Sequence, residues 1–523
     1  MTEPPSGASA GFLRARNILT LAQGCAGDAI WWQEGRIREV GSAVALDRRV
    51  PREVPRYDLP DALVTPGFVD GHTHFAMWAL GRSRVQLVGA ATREAAVARV
   101  AAAHPVQGWV LGQGWDANGW DRRPDRRDLD AVQTGPVFLD SLDVHAGWVN
   151  SAALVAAGID RATPDPAGGR IVRDANGDPT GLLLERAVEL VGRVLPQPPA
   201  ERLDAALTEA QTEAHRLGIT GIHDVEGDSV LEAFRRLEST GGLRLRVLFQ
   251  PPVASLPDLV DRGVRSGQGT EWLTFGGVKL FLDGSLGSRT AWMLEPYQRS
   301  RDRGMPITGE REAGEAVRYA ARHGLSATVH AIGDAAVRRA LDLITPLPHA
   351  AVPHRIEHFQ CVHRDDLDRA AAAGIVVSMQ PAHLLTDIPL VDRHWGGRGR
   401  GAYAFRSLRN RGTPLVFGSD VPVASPDPRE GLFAALERRV DGAPRGAWRP
   451  DEVLGFEEAV YAYTRAAARA GGIGGRRGTL APGMDADLVA WSWGPDAERG
   501  DGAAVRAGSA CLTVVGGEVV MRR

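Results

Sequence analysis

The stretch DGHTH places His72 and His74 two residues apart. On a β-strand, positions i and i+2 face the same way, so both imidazoles can hold one ion. Two further histidines close short apolar runs, His330 in LSATVHAIG and His358 in HRIEHFQ, and a carboxylate, Asp420, closes TPLVFGSD. Imidazole nitrogen and carboxylate oxygen suit zinc and similar divalent metals. A lone strand-end histidine is more often a hydrogen-bonded core residue than a ligand. An HxH pair joined by two more strand-end histidines and an aspartate outweighs that reading. Lys279, in GGVKLFLDGSLGS, is the only lysine among 61 basic side chains. It lies in another such run, and unlike arginine it loses its proton readily when buried or set near cations.

These residues need a scaffold that brings strand ends together. Eight apolar runs qualify as strands: LVTPGFVDG, GITGIHDV, LRLRVLFQ, LTFGGVKLFLDG, LSATVHAIG, HRIEHFQ, GIVVSMQ and TPLVFGSD. Amphipathic segments separate most of them, among them ERLDAALTEAQTEAHRLG (201–218) and REAGEAVRYAARHG (311–324). Nearly continuous apolar strands alternating with helices predict an α/β fold with a parallel sheet, and eight such units predict a (β/α)8 TIM-like barrel. The candidate ligands then fall on its C-terminal face, where such barrels build active sites. Residues 78–200 are too long for one crossover and carry strands and helices of their own, which predicts an α/β insertion after strand 1, over the barrel mouth. Both ends of the chain read as short strands broken by Gly and Pro.

Composition narrows the partners. A net charge of −3 gives no reason to expect nucleic acid or an anionic membrane. Arg-rich DRRPDRRD (121–128) carries its own aspartates and reads as an ion-paired, solvated face. Cys25, Cys361 and Cys511 are widely spaced and suggest a reducing, cytoplasmic setting. No apolar leader or membrane-length run is present.

In order, VTPGFVDGHTH, VKLFLDGSLGSRTA, VHAIGDAAV, HRIEHFQ and GSDVPV resemble the amidohydrolase superfamily, and more narrowly its YtcJ-like branch, which includes N-substituted formamide deformylases. GTLAPGMDADLVAW resembles the family's return into a small β-sandwich, while GQGWDANGW, LDAVQTGPVFLDSLDVHAGWVNSAAL and GDPTGLLLERA resemble the branch's insertion. The resemblance implies a composite β-sandwich from 1–62 and 476–523, a barrel from 63–77 and 201–475, and the inserted subdomain at 78–200. It implies two zinc ions per chain. His72 and His74 would hold the more buried one with Asp420, and His330 and His358 the second. In binuclear members a lysine ending strand four reacts with CO2, and the carbamate bridges both metals. Lys279 stands in that place, and an always-protonated arginine could not serve there. The family habit also implies a homodimer.

The reaction so implied is hydrolysis of an amide, N-formyl or N-acyl C–N bond of a small molecule by a metal-activated hydroxide. Asp420 would take the proton and deliver it to the departing amine. Five further residues are candidates for the substrate pocket: Trp115, His145, Asp283, Ser285 and His383. Asp283 and Ser285 sit in a glycine-rich loop that reads equally as a plain tight turn. His145 lies in the insertion and His383 follows strand seven. Trp115 and Trp120 would wall the pocket or pack the subdomain core. His223 reads as structural. Two rival readings stand beside this one. A mononuclear deaminase of a nucleobase-like ring would not need Lys279, and a non-catalytic binding protein on a decayed fold would not keep every expected ligand.

Overall fold

The computed structural model describes residues 9–440 and 446–523. Parallel strands β1 (Phe68–Thr73), β2 (Ile219–Asp224) and β3 (Arg246–Phe249) pair in chain order. Strand β4 comes in two pieces, Leu273–Phe275 and Val278–Phe281. The first piece pairs with β3, and the second with β5 (Ala327–Ala331), which continues into β6 (Arg355–His358), β7 (Val376–Met379) and β8 (Leu415–Phe417). The break falls at Gly276-Gly277, where side chains do not fit. A Cβ on Gly276 would lie 2.9 Å from Gln250, and one on Gly277 2.4 Å from Thr328. The Lys279 amide still donates to Pro251 O at 2.8 Å, so the second piece stays tied to the end of β3. Beyond β8, Asp420 N donates to His72 O at 2.7 Å and His74 N to Val421 O at 2.9 Å, which joins the last strand end to the first.

Helices cover the outside of these strands. The helix Ala200–Arg216 buries Leu203, Leu207, Ala210 and Ala214, an i, i+4, i+7, i+11 stripe. Each leucine so buried contributes roughly 1.5–3 kcal/mol. The turn that follows needs Gly218, at φ +77°, where a Cβ would meet Trp491 at 2.6 Å.

The two ends of the chain share one seven-stranded sheet. Its order is Glu518–Arg522, Ala510–Val515, Leu488–Trp491, Arg56–Pro66, Gly11–Ile18, Ala29–Gln33 and Arg36–Gly41. The sheet curls until Ile37 N donates to Met484 O at 2.9 Å and Ala486 N to Gly35 O at 2.8 Å. Leu13, Ile30, Trp32, Leu488 and Leu512 pack in the core it wraps. Its strand Arg56–Pro66 leads through Gly67 into β1, so the HxH motif starts from a fixed platform.

A separate six-stranded sheet forms between β1 and β2. Its order is Gly169–Arg173, Pro179–Glu185, Ala146–Val149, Val137–Ser141, Val110–Trp115 and Val85–Gln86. It is latched to the loop after β4. Asp143 Oδ2 accepts from Ser285 Oγ at 2.6 Å and Ser288 Oγ at 2.8 Å, and Asn118 donates to Gly287 O at 3.2 Å. Among the described residues no helix is long and apolar enough to cross a membrane.

Candidate metal centre

Six side chains named by the sequence meet at the C-terminal ends of the strands. His72 lies within β1 and His74 just past it. Both direct Nε2 at the same carboxylate oxygen, Asp420 Oδ1, at 3.4 Å each. His72, His358 and Asp420 each offer a ligand atom within 4.8 Å of the others, and all three are buried. The His358 ring packs edge-on to His330 with centroids 4.5 Å apart. Lys279 Nζ sits 3.5 Å from His72 Nε2 and 4.7 Å from the centre of the Phe281 ring. Lys279 does not pair with Asp283, whose oxygens accept instead from the amides of Trp292, Ile332 and Gly333.

The donor set fits a divalent cation. The Nδ1 of His72 is engaged by Glu357, and that of His74 donates to Val225 O at 2.8 Å, which leaves each Nε2 free to ligate. His330 Nε2 donates to Gly284 O at 3.2 Å, so its Nδ1 is the free lone pair. The Nδ1 atoms of His330 and His358 are buried without a hydrogen-bond partner. Buried imidazole nitrogens are seldom left so, and a cation would satisfy both.

The electrostatics favour ligand-ready protonation states at His72, His330, His358 and Asp420. Burial, then the charge of Lys279, lowers His72 to about 4 despite Glu357 and Asp420. Burial also holds His330 and His358 well below the usual histidine range, as neutral imidazoles. Burial opposes the charged form of His74, yet Asp420 and Glu226 leave its pKa raised. Burial pushes the Asp420 carboxyl up, but the surrounding imidazoles outweigh it and hold the group well below the carboxylate range. Burial lowers Lys279 to about 8, against the pull of Glu357 and Asp420.

Strand alternation alone would set Glu357 and His358 on opposite faces. Positive φ at His358 (+68°) and Phe359 (+46°) turns the chain there and brings His358 over the strand ends beside His72. Asp420 also sits at positive φ, +59°. Such conformations cost energy and concentrate at functional sites.

Above the centre lies a cavity of about 1030 Å³, lined by His358 and Asp420 on its floor and by Trp115, His145, Ser285 and His383 on its walls. His383 directs Nε2 at Ser419 O at 3.2 Å and lies 3.8 Å from Asp420 Oδ2. His145 is held through Nδ1 by Glu185 at 2.7 Å. Trp115 both faces the cavity and packs the insertion core, tilted against Trp120 and edge-on to Trp148. Ser285 spends its hydroxyl on Asp143. Asp283 is the exception. It is fully buried, accepts from three backbone amides, lies 3.7 Å from His330 Nε2 through Oδ1, and is not among the residues that line the cavity, so it anchors the loop after β4. His223 accepts from Arg355 at 2.8 Å and is structural.

The sequence reading missed the acids that hold these groups. Glu357 stands inside HRIEHFQ yet had no role assigned. It is fully buried, binds His72, and is held by Arg355. Burial pushes its carboxyl up, but Arg355 and His72 keep it well below the usual range. Asp70, two residues before His72, accepts from Ser419 N at 2.7 Å and so fixes the turn that carries Asp420. Period-two counting could have found both, since Arg355 with Glu357 and Asp70 with His72 each share a strand face.

A barrel of parallel strands carrying a histidine–aspartate donor cluster at its C-terminal face defines the metal-dependent hydrolase class. The family model described as amidohydrolase family matches residues 57–521, and the chain belongs to that family. It is 33% identical to the putative amidohydrolase YtcJ of Bacillus subtilis (strain 168), over 96% of this chain and 97% of that protein. It is 28% identical to the N-substituted formamide deformylase of Arthrobacter pascens, over 90% of this chain and 91% of that one. Among solved structures, an uncharacterized metal-dependent hydrolase from Pyrococcus horikoshii OT3 superposes with a TM-score of 0.75 at 26% identity, covering 92% of this chain and 97% of that one.

Proposed function

We propose that the chain is a binuclear metal-dependent amidohydrolase that cleaves the C–N bond of a small N-formyl or N-acyl amine. The observation that carries the metal-dependent reading is the donor cluster itself: His72, His358 and Asp420 offer ligand atoms within 4.8 Å of one another, and Nδ1 of His358 and of neighbouring His330 is buried without a partner, under a cavity of about 1030 Å³. The division between two ions rests on the family resemblance. His72, His74 and Asp420 would hold one ion, and His330 and His358 the other, with zinc the cation these donors suit best. Lys279 would bridge them as a carbamate, formed when its neutral amine adds to CO2 and releases a proton. Its burial and its lowered pKa, about 8, support that chemistry. Bound there, divalent ions polarise a carbonyl and lower the pKa of a water.

The chain's own groups supply the rest. Asp420 stands where it can accept a proton and pass it to the leaving amine, with His383 beside it to orient the carboxylate. His145, fixed by Glu185, turns Nε2 toward the cavity as a donor for the substrate carbonyl oxygen. Trp115 with Leu182 and Leu184 offers an apolar wall for the acyl or amine substituent. The reading includes a cytoplasmic homodimer, supported by the family resemblance and by three free cysteines.

The test is a metal count per chain with turnover on a panel of N-formyl and N-acyl amines. Two metals and amine release support the proposal. One metal with ammonia release from a ring substrate would replace it with the deaminase reading.

A further inference from the structure

The helix Leu384–His394 borders the cavity, and Asp387 on it lines the wall. Asp387 Oδ2 accepts from Tyr403 Oη and from Gln360 Nε2, at 2.6 Å each. Both donors are buried, and neither side chain makes another hydrogen bond among the described residues. The donors are fixed in turn. Tyr403 N donates to Gln360 O at 2.9 Å, and Arg438 Nη1 to Tyr403 O at 3.0 Å. Phe359 and Tyr403 both sit at positive φ, +46° and +53°. Such conformations cost energy and persist only where the surroundings enforce them.

Holding one carboxylate oxygen from two sides sets the direction of the other. Asp387 Oδ1 takes no hydrogen bond and no ion pair from a described residue, yet it is not sealed in the core, so it opens on the cavity. Asp143, which lines the same cavity, differs. Its Oδ1 accepts from Ser141 Oγ and His145 N, and its Oδ2 from Ser285 and Ser288. Burial raises the Asp387 pKa, while His383, Tyr403 and Gln360 favour its charged form and Asp143 opposes it.

The free oxygen also lies close to the proposed chemistry. His383 stands four residues before Asp387, one helical turn, and 3.8 Å from Asp420 Oδ2. Gln360 follows His358 by two residues. An ionised carboxylate only accepts, so it is matched by a donor on the ligand. A secondary amide carries one such donor at the scissile bond itself, its N–H. Holding that N–H fixes the rotation of the nitrogen, and its developing lone pair then turns toward Asp420.

We infer that Asp387 accepts the N–H of the scissile amide through Oδ1, so that the chain selects secondary amides, an acyl or formyl group on a primary amine, over tertiary amides and esters. This deepens the amidohydrolase reading and rests on it for the reaction, but not for the binding of the N–H. Tyr403 and Gln360 are positioning residues that aim the carboxylate.

Two measurements decide this. The first compares kcat/KM for N-formylphenethylamine and for phenethyl formate, which differ only in N–H against O. In Asp387→Asn, Tyr403 and Gln360 can still donate to the amide oxygen, which leaves an NH2 group where Oδ1 faced the cavity. The metal-loaded variant should lose at least about tenfold on the amide, as expected for one hydrogen bond to a charged group, and less than about threefold on the ester. Tyr403→Phe leaves the carboxylate free to turn and should lower the amide-to-ester ratio in the same direction. Equal losses on both compounds, or a ratio unchanged in both variants, would make Asp387 an anchor for its helix and overturn the inference. The second is calorimetric titration of the metal-free protein with the same two compounds. The wild type should bind the amide more tightly than the ester by at least about fivefold, and Asp387→Asn should bind the two alike. Equal binding by the wild type, or binding of neither compound, overturns the inference. Amide-selective binding that depends on Asp387, without turnover by the metal-loaded enzyme, supports the N–H site and removes the hydrolase reading alone.

Discussion

Glu357 Oε2 and His72 Nδ1 meet at 2.5 Å with neither side chain exposed to solvent. The contact fixes which nitrogen of His72 faces the centre. Arg355, bonded to both Glu357 and Gly71 O, locks the carboxylate in turn. Partners of this kind set ligand orientation and basicity, and their loss costs about 10–100-fold in metal affinity or activity. Glu357→Gln should therefore weaken metal binding by about that factor, read by chelator competition, while leaving the fold intact by circular dichroism. Unchanged affinity would show that His72 is held by other means.

Lys279→Arg is a mild substitution on most surfaces and should be severe here. The side chain is 1% exposed between β3 and β5, with no room for a planar fork, and arginine keeps its proton. The expected result is a fall from two metals per chain to one or none, with activity lost. Lys279→Met, close in volume and uncharged, separates crowding from chemistry: it should fold normally and still lose the second metal. In the wild type, 13C-bicarbonate should give a carbamate carbon signal that both variants lack.

Asp420→Asn keeps the shape of the carboxylate and removes its ability to carry a proton. General acid–base groups contribute about 10²–10⁴-fold, so kcat should fall by at least about 100-fold with at least one metal still bound. Activity near wild type with metals bound would exclude Asp420 as the proton carrier.

His145 gives a pH signature. Burial opposes its charge, but Glu185 and then Asp143 raise its pKa from 6.5 to about 9 in the folded protein. Its stabilising contribution is therefore complete below pH 6.5 and disappears as pH rises through about 9, with an upper bound of about 3 kcal/mol. In metal-free protein, the stability gap between wild type and Glu185→Gln should be widest near pH 6 and narrow above pH 9. A gap that does not vary with pH would mean the pair acts by packing alone.

The barrel strands were legible because their signal is local. A run such as GIVVSMQ is apolar along its length, and β7 is buried at every position. The candidate ligands were legible for a related reason, since strand ends are marked by the glycines and turns that follow. Asp283 misled because a carboxylate after a strand looks the same whether it faces substrate or caps three amides. Glu185 was not legible at all. Its partner His145 lies 40 residues away in the chain, and only the folded insertion sets the pair beside the cavity.

Gly284 tests how the insertion and the barrel act together. A Cβ there would lie 1.9 Å from Glu185 Oε1 and 2.2 Å from Thr290 Oγ1, distances that no side chain tolerates. Its carbonyl meanwhile accepts from His330 Nε2 at 3.2 Å, so this one residue touches both the acid that holds His145 and a candidate ligand of the second metal. Gly284→Ala must displace Glu185 or move the loop. Overpacking of this kind costs typically 1–3 kcal/mol. If Glu185 yields, His145 loses its anchor: kcat should fall while the metal count stays at two. If the loop yields, His330 loses its carbonyl and the count should drop. Combining the change with Glu185→Ala, which clears the space, should restore metal content in the second case. A double variant no better loaded than Gly284→Ala alone would show that the loop is set by Thr290 and Asp143, independently of the His145–Glu185 pair.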